Sequence, residues 1–144
     1  MKWVTRARPK TDRVACPWLI RRFIDPDAEI LYVPATDVLA VAERESGRSF
    51  DAPDATYTHR GNKCTFEVLI EEFQLQGDPA LLRLARIVHA ADIEGELESD
   101  PRGAGLLAIG LGSLEVEGDD LKLLERESFV YDALYAWSQK YGDD

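Results

Sequence analysis

The sequence holds only two cysteines in 144 residues, Cys16 and Cys64, which excludes a disulfide-built scaffold. It holds only two histidines, so any imidazole chemistry must pass through His59 or His89. It has no excess of positive charge. Its 27 acidic side chains against 17 Lys and Arg leave a net charge of −10, the opposite of the cationic face that a phosphate backbone requires. Direct nucleic-acid binding is therefore not expected. No apolar run approaches the roughly 18 residues of a spanning helix. The longest candidate, 104–114, is short and rich in glycine. The opening MKWVTRARPK lacks the apolar stretch of a secretory signal. No membrane association is expected, and the expected location is the cytoplasm. No repeat, linker or low-complexity stretch divides the chain, so one domain over residues 1–144 is expected, with a single core.

What is present reads as strands first and helices later. Residues 2–6 (KWVTR) have β-forming side chains, and Pro9 ends the run. Thr11 and Asp12 offer cap chemistry for a helix reaching about residue 24. Pro17 removes a hydrogen bond from its interior, so a start at Pro17 itself is the alternative. Asp25-Pro26-Asp27 ends this helix, and residues 30–33 (ILYV) form a second, buried strand. Strand, helix, strand predicts a crossover with parallel pairing. A short helix over 37–45, a turn at 46–48 and a third strand at 55–58 follow. Helices are then predicted over 64–75, from Pro79 with Asp78 as cap, from about 101 to 114, and from about 119 to 141, with a break allowed at Ser128. The fold class is α+β, or small α/β: a short, partly parallel sheet of about three strands packed by five or six helices, with more helix than strand.

Both histidines stand near carboxylates. His89 and Asp92 are three apart in a predicted helix, a spacing that stacks them on one face. Cys64 and Glu67 repeat that spacing at the start of another helix, five residues after His59. Two imidazoles with one or two carboxylates suit a transition metal ion, Fe, Mn or Zn, and a Cys64 thiolate would favour zinc or iron. The candidate ligands are thus His59, Glu67, His89, Asp92 and Cys64. The plainer alternative is a helix histidine satisfied by Asp92, a Glu67 serving the helix dipole and a Cys64 packed as a small apolar side chain.

Arg13 falls on an apolar stripe or just before a helix N-terminus, and either place calls for an anion. Arg6, at the end of the first strand, can converge on the same point. The pair reads as an anion pocket for a small ligand or as a structural ion pair with a protein carboxylate. Cys16 has no second cysteine at redox spacing and reads as a buried structural thiol. Leu134, Trp137 and Tyr141 share one helical face, with Tyr131 and Tyr135 beside it, and read as core.

Four segments carry a resemblance: WVTR at 3–6, DRVACPWLIRRFIDP at 12–26, CTFE at 64–67 and YDALYAW at 131–137. Together they resemble the chromate-resistance protein family, which includes the C-terminal domain of ChrB-type regulators and stand-alone proteins of similar length. The resemblance implies a role in chromate stress and a small anion such as chromate as partner. It also implies that Arg6, Arg13 and His59 match positions tied to that response. It is consistent with metal at His59, Glu67, His89 and Asp92. The additional N-terminal region of the full regulators is not in this sequence, so direct DNA control is not expected. Two functions follow: a metal-binding domain, extending to a metal-dependent oxidoreductase, or a non-catalytic oxyanion sensor. A homodimer is left open.

Overall fold

The computed structural model describes residues 1–142; the last two positions of the expected domain, 143 and 144, lie outside the described residues. Three strands form one sheet: β1 (Lys2–Arg6), β2 (Glu29–Val33) and β3 (Arg48–Ser49), in the order β2-β1-β3. Both pairings are parallel, with Val4 opposite Leu31 on one side and Ser49 on the other. Among the described residues, six α-helices surround it: α1 (Asp12–Leu19), α2 (Val38–Arg44), α3 (Thr65–Glu72), α4 (Pro79–Asp92), α5 (Gly103–Val116) and α6 (Asp120–Lys140). The class is α+β with more helix than strand, as the pattern of elements predicts.

β1 is the central strand, and its Trp3, Val4 and Thr5 are all buried. Trp3 points into the main core with Leu19, Ile20, Ile30, Phe66, Leu84 and Tyr131. Val4 points the other way, into a smaller cluster with Val38, Val41, Ala42 and Ala52. Burial on both faces is what parallel strands require, because helices cover each side. No helix among the described residues is long and apolar enough to cross a membrane.

Several elements depart from the sequence expectation for physical reasons. α1 starts at Asp12, not Pro17, and Pro17 sits inside it. The missing N–H at Pro17 leaves the Arg13 carbonyl without its helical donor. The Tyr32 hydroxyl of β2 donates to that carbonyl at 2.6 Å. The helix then continues as a π-helical turn over Ile20–Ile24. The third strand falls at residues 48–49 rather than 55–58, where Tyr57 makes only an isolated bridge to Phe50. Gly47 explains the placement. A Cβ there would lie 2.7 Å from the Lys2 carbonyl oxygen, so only glycine lets the chain come this close to β1. α3 ends at Glu72, three residues early, and Gln74 takes a positive φ of 56°. α6 runs unbroken through Ser128, whose hydroxyl donates to the Leu124 carbonyl one turn back. Tyr141 is exposed, not core, while Tyr131 and Tyr135 are buried.

Asp78 and Asp119 cap α4 and α6 by accepting from the amides of Leu81 and Lys122. Glu127, in the middle of α6, is 3% exposed, and neither carboxylate oxygen has a hydrogen-bond partner. Burial alone pushes its carboxyl up to about 7 from the usual 4.5. A carboxyl raised on folding supports stability below its unfolded value and loses that support as pH rises through its folded value. Glu127→Gln should therefore be more stable than the parent above pH 7, by about 3 kcal/mol at 1.36 kcal/mol per pKa unit. The gap should close below about pH 4.5. Urea unfolding of both proteins at pH 4.5, 6 and 8 reads this directly; equal stability at pH 8 would contradict it.

Candidate metal site

Asp12, the first residue of α1, is fully buried, yet it does not cap its own helix. Its carboxylate oxygens accept from the amides of Thr65, at 2.8 Å, and Phe66, at 3.1 Å. These are the first two N–H groups of α3, which have no partner inside that helix. One carboxylate thus anchors two helices 53 residues apart in sequence. The buried Cys16 thiol, one turn along α1, donates to the same carboxylate at 3.4 Å.

His59 lies on the loop before α3. Its Nε2 stands 3.4 Å from Asp12, 3.3 Å from Asp51 and 3.2 Å from Asp92. Asp92 is the last residue of α4. Asp51 follows β3 with a positive φ of 48°, a conformation costly for a residue with a Cβ. Its amide donates to the Tyr57 carbonyl, and its carboxylate accepts from the Thr65 hydroxyl at 2.8 Å. Three carboxylates from three separate segments therefore converge on one imidazole nitrogen.

Such a cluster is held together only by positive charge. Hydrogen bonds to Asp12 and then Asp51 raise His59 to about 10, so its imidazole is cationic at neutral pH. Burial, then repulsion from Asp12 and Asp51, pushes Asp92 up to about 7. Burial also raises Asp12. Burial acts to raise Asp51 too, but hydrogen bonds from His59 and Thr65 outweigh it and hold this carboxyl below its ordinary value. The arginines complete that balance. Arg6 donates from Nε to the Asp51 carbonyl at 2.8 Å, and its Nη2 lies 3.5 Å from the Asp51 carboxylate. Arg13 Nε lies 3.6 Å from the same carboxylate, and its Nη1 donates to the carbonyls of Arg6 and Ala7. Arg6 and Arg13 do converge, and the anion between them is Asp51.

A second group forms at the start of α3. Cys64 is the buried N-cap residue, and its amide donates to Glu67 Oε1 at 3.0 Å. The same oxygen lies 2.6 Å from His89 Nδ1, while His89 Nε2 lies 3.5 Å from Glu96. Donor atoms of Cys64, Glu67 and His89 all lie within 4.8 Å of one another, as do those of Asp12, His59 and Asp92.

The five candidate ligands thus divide, and the partners are exchanged. Helical spacing pairs His89 with Asp92 and places His59 with Cys64 and Glu67. In the fold, His59 meets Asp92, and His89 meets Glu67. Asp92 closes α4 and meets the first turn of α1 at Asp12. His89, almost a turn earlier, faces the first turn of α3. Two residues of the cluster, Asp12 and Asp51, are not among the five candidates. Asp12 carried a signal, as a carboxylate in a cap position, but the helix it caps is remote. Asp51 carried only turn chemistry.

The family model described as the C-terminal domain of ChrB matches residues 3–138. A relative named Protein ChrB, from Cupriavidus metallidurans, is 40% identical over 134 residues. The match covers 93% of this chain and 40% of the relative, so the chain spans about two fifths of that protein's length. No solved structure matches the chain significantly.

Proposed function

The chain belongs to the ChrB C-terminal domain family, and from that membership and the geometry around His59 we propose that it is a metal-binding domain acting in chromate resistance. The observation that carries this reading is the convergence of Asp12, Asp51 and Asp92 on one imidazole nitrogen within 3.4 Å. Burying several carboxylates together is costly unless a cation stands among them. A protonated His59 supplies one charge. A divalent ion supplies two, and it releases the imidazole to act as a nitrogen ligand.

Asp12, His59 and Asp92 would hold the ion, with Asp51 as a fourth carboxylate fixed by Arg6, Arg13 and Thr65. One nitrogen with carboxylate oxygens suits Mn, Fe or Zn and disfavours soft ions. Iron or manganese would supply redox chemistry, and zinc would supply binding or Lewis-acid chemistry. The residues of this chain orient the ligands and neutralise the excess charge. Asp12 is pinned by two amides and Asp51 by two guanidinium groups, so neither carboxylate must be ordered when the ion binds.

A second reading, an oxyanion-binding module without metal, draws on the same cations. Arg6 is 36% exposed in its side chain and His59 44%, so both reach solvent. Chromate would lie against them by charge-assisted hydrogen bonds.

Calorimetry separates the two. Titration of chelator-treated protein with Mn²⁺, Fe²⁺ and Zn²⁺ should show uptake that is lost in Asp92→Asn. Chromate uptake by metal-free protein, lost in Arg6→Ala and unaffected by Asp92→Asn, would favour the second reading. Absence of any metal uptake would overturn the first.

A further inference from the structure

We propose that Cys64, Glu67 and His89 form a second metal site of a different class, a thiolate-containing site for zinc-like ions, independent of the carboxylate cluster around His59. Three kinds of donor meet there, sulfur, nitrogen and oxygen, with their ligand atoms within 4.8 Å. Each is held by a rigid element. Cys64 is the N-cap of α3, Glu67 stands three residues on, and His89 faces them from α4. Mixed Cys, His and carboxylate donors are the set that borderline ions such as Zn²⁺ prefer.

One further feature points to a metal rather than to a simple cap. His89 turns Nδ1 to Glu67, at 2.6 Å, and Nε2 toward Glu96, at 3.5 Å. A metal-ligating imidazole almost always presents its other ring nitrogen to a carboxylate or carbonyl, which fixes the ring and the tautomer. Glu96 occupies that outer place. Cys64, the N-cap residue of α3, is buried beside Glu67 and His89. Without metal the buried thiol keeps its proton, since burial and the nearby carboxylates of Asp12 and Glu67 push it up. Binding would displace that proton and leave the thiolate as ligand. The ion would take the position between Sγ, Nδ1 and the Glu67 carboxylate.

The two clusters would then sort ions by hardness. Carboxylates and one imidazole serve Mn²⁺ or Fe²⁺, whereas the Cys64 group serves Zn²⁺. They share the N-terminus of α3: Cys64 precedes the two amides that Asp12 accepts.

Co²⁺ is the probe, because a thiolate bound to cobalt gives a charge-transfer absorption in the near ultraviolet that carboxylates do not. The 144-residue chain titrated with Co²⁺ should develop this band. Cys64→Ser should remove it, and Asp92→Asn should leave it unchanged. His89→Gln should weaken the Co²⁺ affinity read from the band by at least about tenfold, a test that holds even if Cys64→Ser fails to fold. No band in the parent protein, or a band that survives Cys64→Ser, would overturn the proposal. Cobalt uptake without a band would leave the carboxylate site standing while removing this one.

Discussion

Asp12→Ala should lower stability by about 3 kcal/mol and abolish metal uptake at the His59 cluster. The stability loss is mostly a capping effect. Thr65 and Phe66 are buried and their amides donate to Asp12, and each buried donor left unsatisfied costs about 1–3 kcal/mol. Removing a carboxylate from beside Asp51 and Asp92 relieves some like-charge repulsion, so the net falls below the sum. Asp12→Asn separates the two effects. Its amide oxygen still accepts one of the helix N–H groups, so the fold should lose roughly half as much. The site should still lose its ion, because a neutral amide is a weak ligand. In either variant the Asp92 carboxyl should titrate lower than about 7, since one of its repelling neighbours is gone. Urea denaturation and carbonyl-carbon NMR titration read the two parts separately.

His59→Ala should reduce metal affinity by at least about 100-fold, the effect of removing a ligand rather than a supporting group. It should also change the pH dependence of stability. His59 is raised to about 10 in the fold against an ordinary 6.5. Its stabilisation is therefore fully present below pH 6.5 and is lost as pH rises through about 10. A buried group with this shift would contribute nearly 5 kcal/mol, at about 1.36 kcal/mol per unit. With the His59 side chain 44% exposed, solvent screening reduces the expected figure to about 1–2 kcal/mol. Parent and variant compared by urea unfolding should differ most near pH 6 and converge above pH 10. A difference that grows with pH would contradict the assigned ion pairs.

Local chemistry explains which parts of the fold were legible. β1 and β2 follow from β-forming residues and an apolar tetrapeptide, whereas α1 starts at Asp12 without a side-chain cap of its own. The Asp78 and Asp119 caps are likewise local, and each accepts from an amide three residues on. The third strand lies at residues 48–49 and not at 55–58 because its position depends on a close approach of Gly47 to Lys2, a contact 45 residues apart. The site was half legible for the same reason. Both histidines and most carboxylates stood out by type and helical spacing. Their partners did not, because the pairing is set by how α3 and α4 pack. Asp12 serves a helix 53 residues away, and Asp51 enters the cluster through its own positive φ, which has no sequence signature. Arg6 and Arg13 meet at Asp51, an internal carboxylate, which is one of the two alternatives open in the sequence.

Pulsed electron paramagnetic resonance of the Mn²⁺-loaded chain tests the central claim most directly. Manganese is the ion for which the carboxylate cluster is the better host, and a bound imidazole nitrogen couples visibly to its unpaired electrons. One nitrogen coupling is predicted in the parent protein, lost in His59→Ala and retained in His89→Ala. A spectrum with no nitrogen coupling, or one whose coupling persists in His59→Ala, would contradict a metal centre built by Asp12, His59 and Asp92.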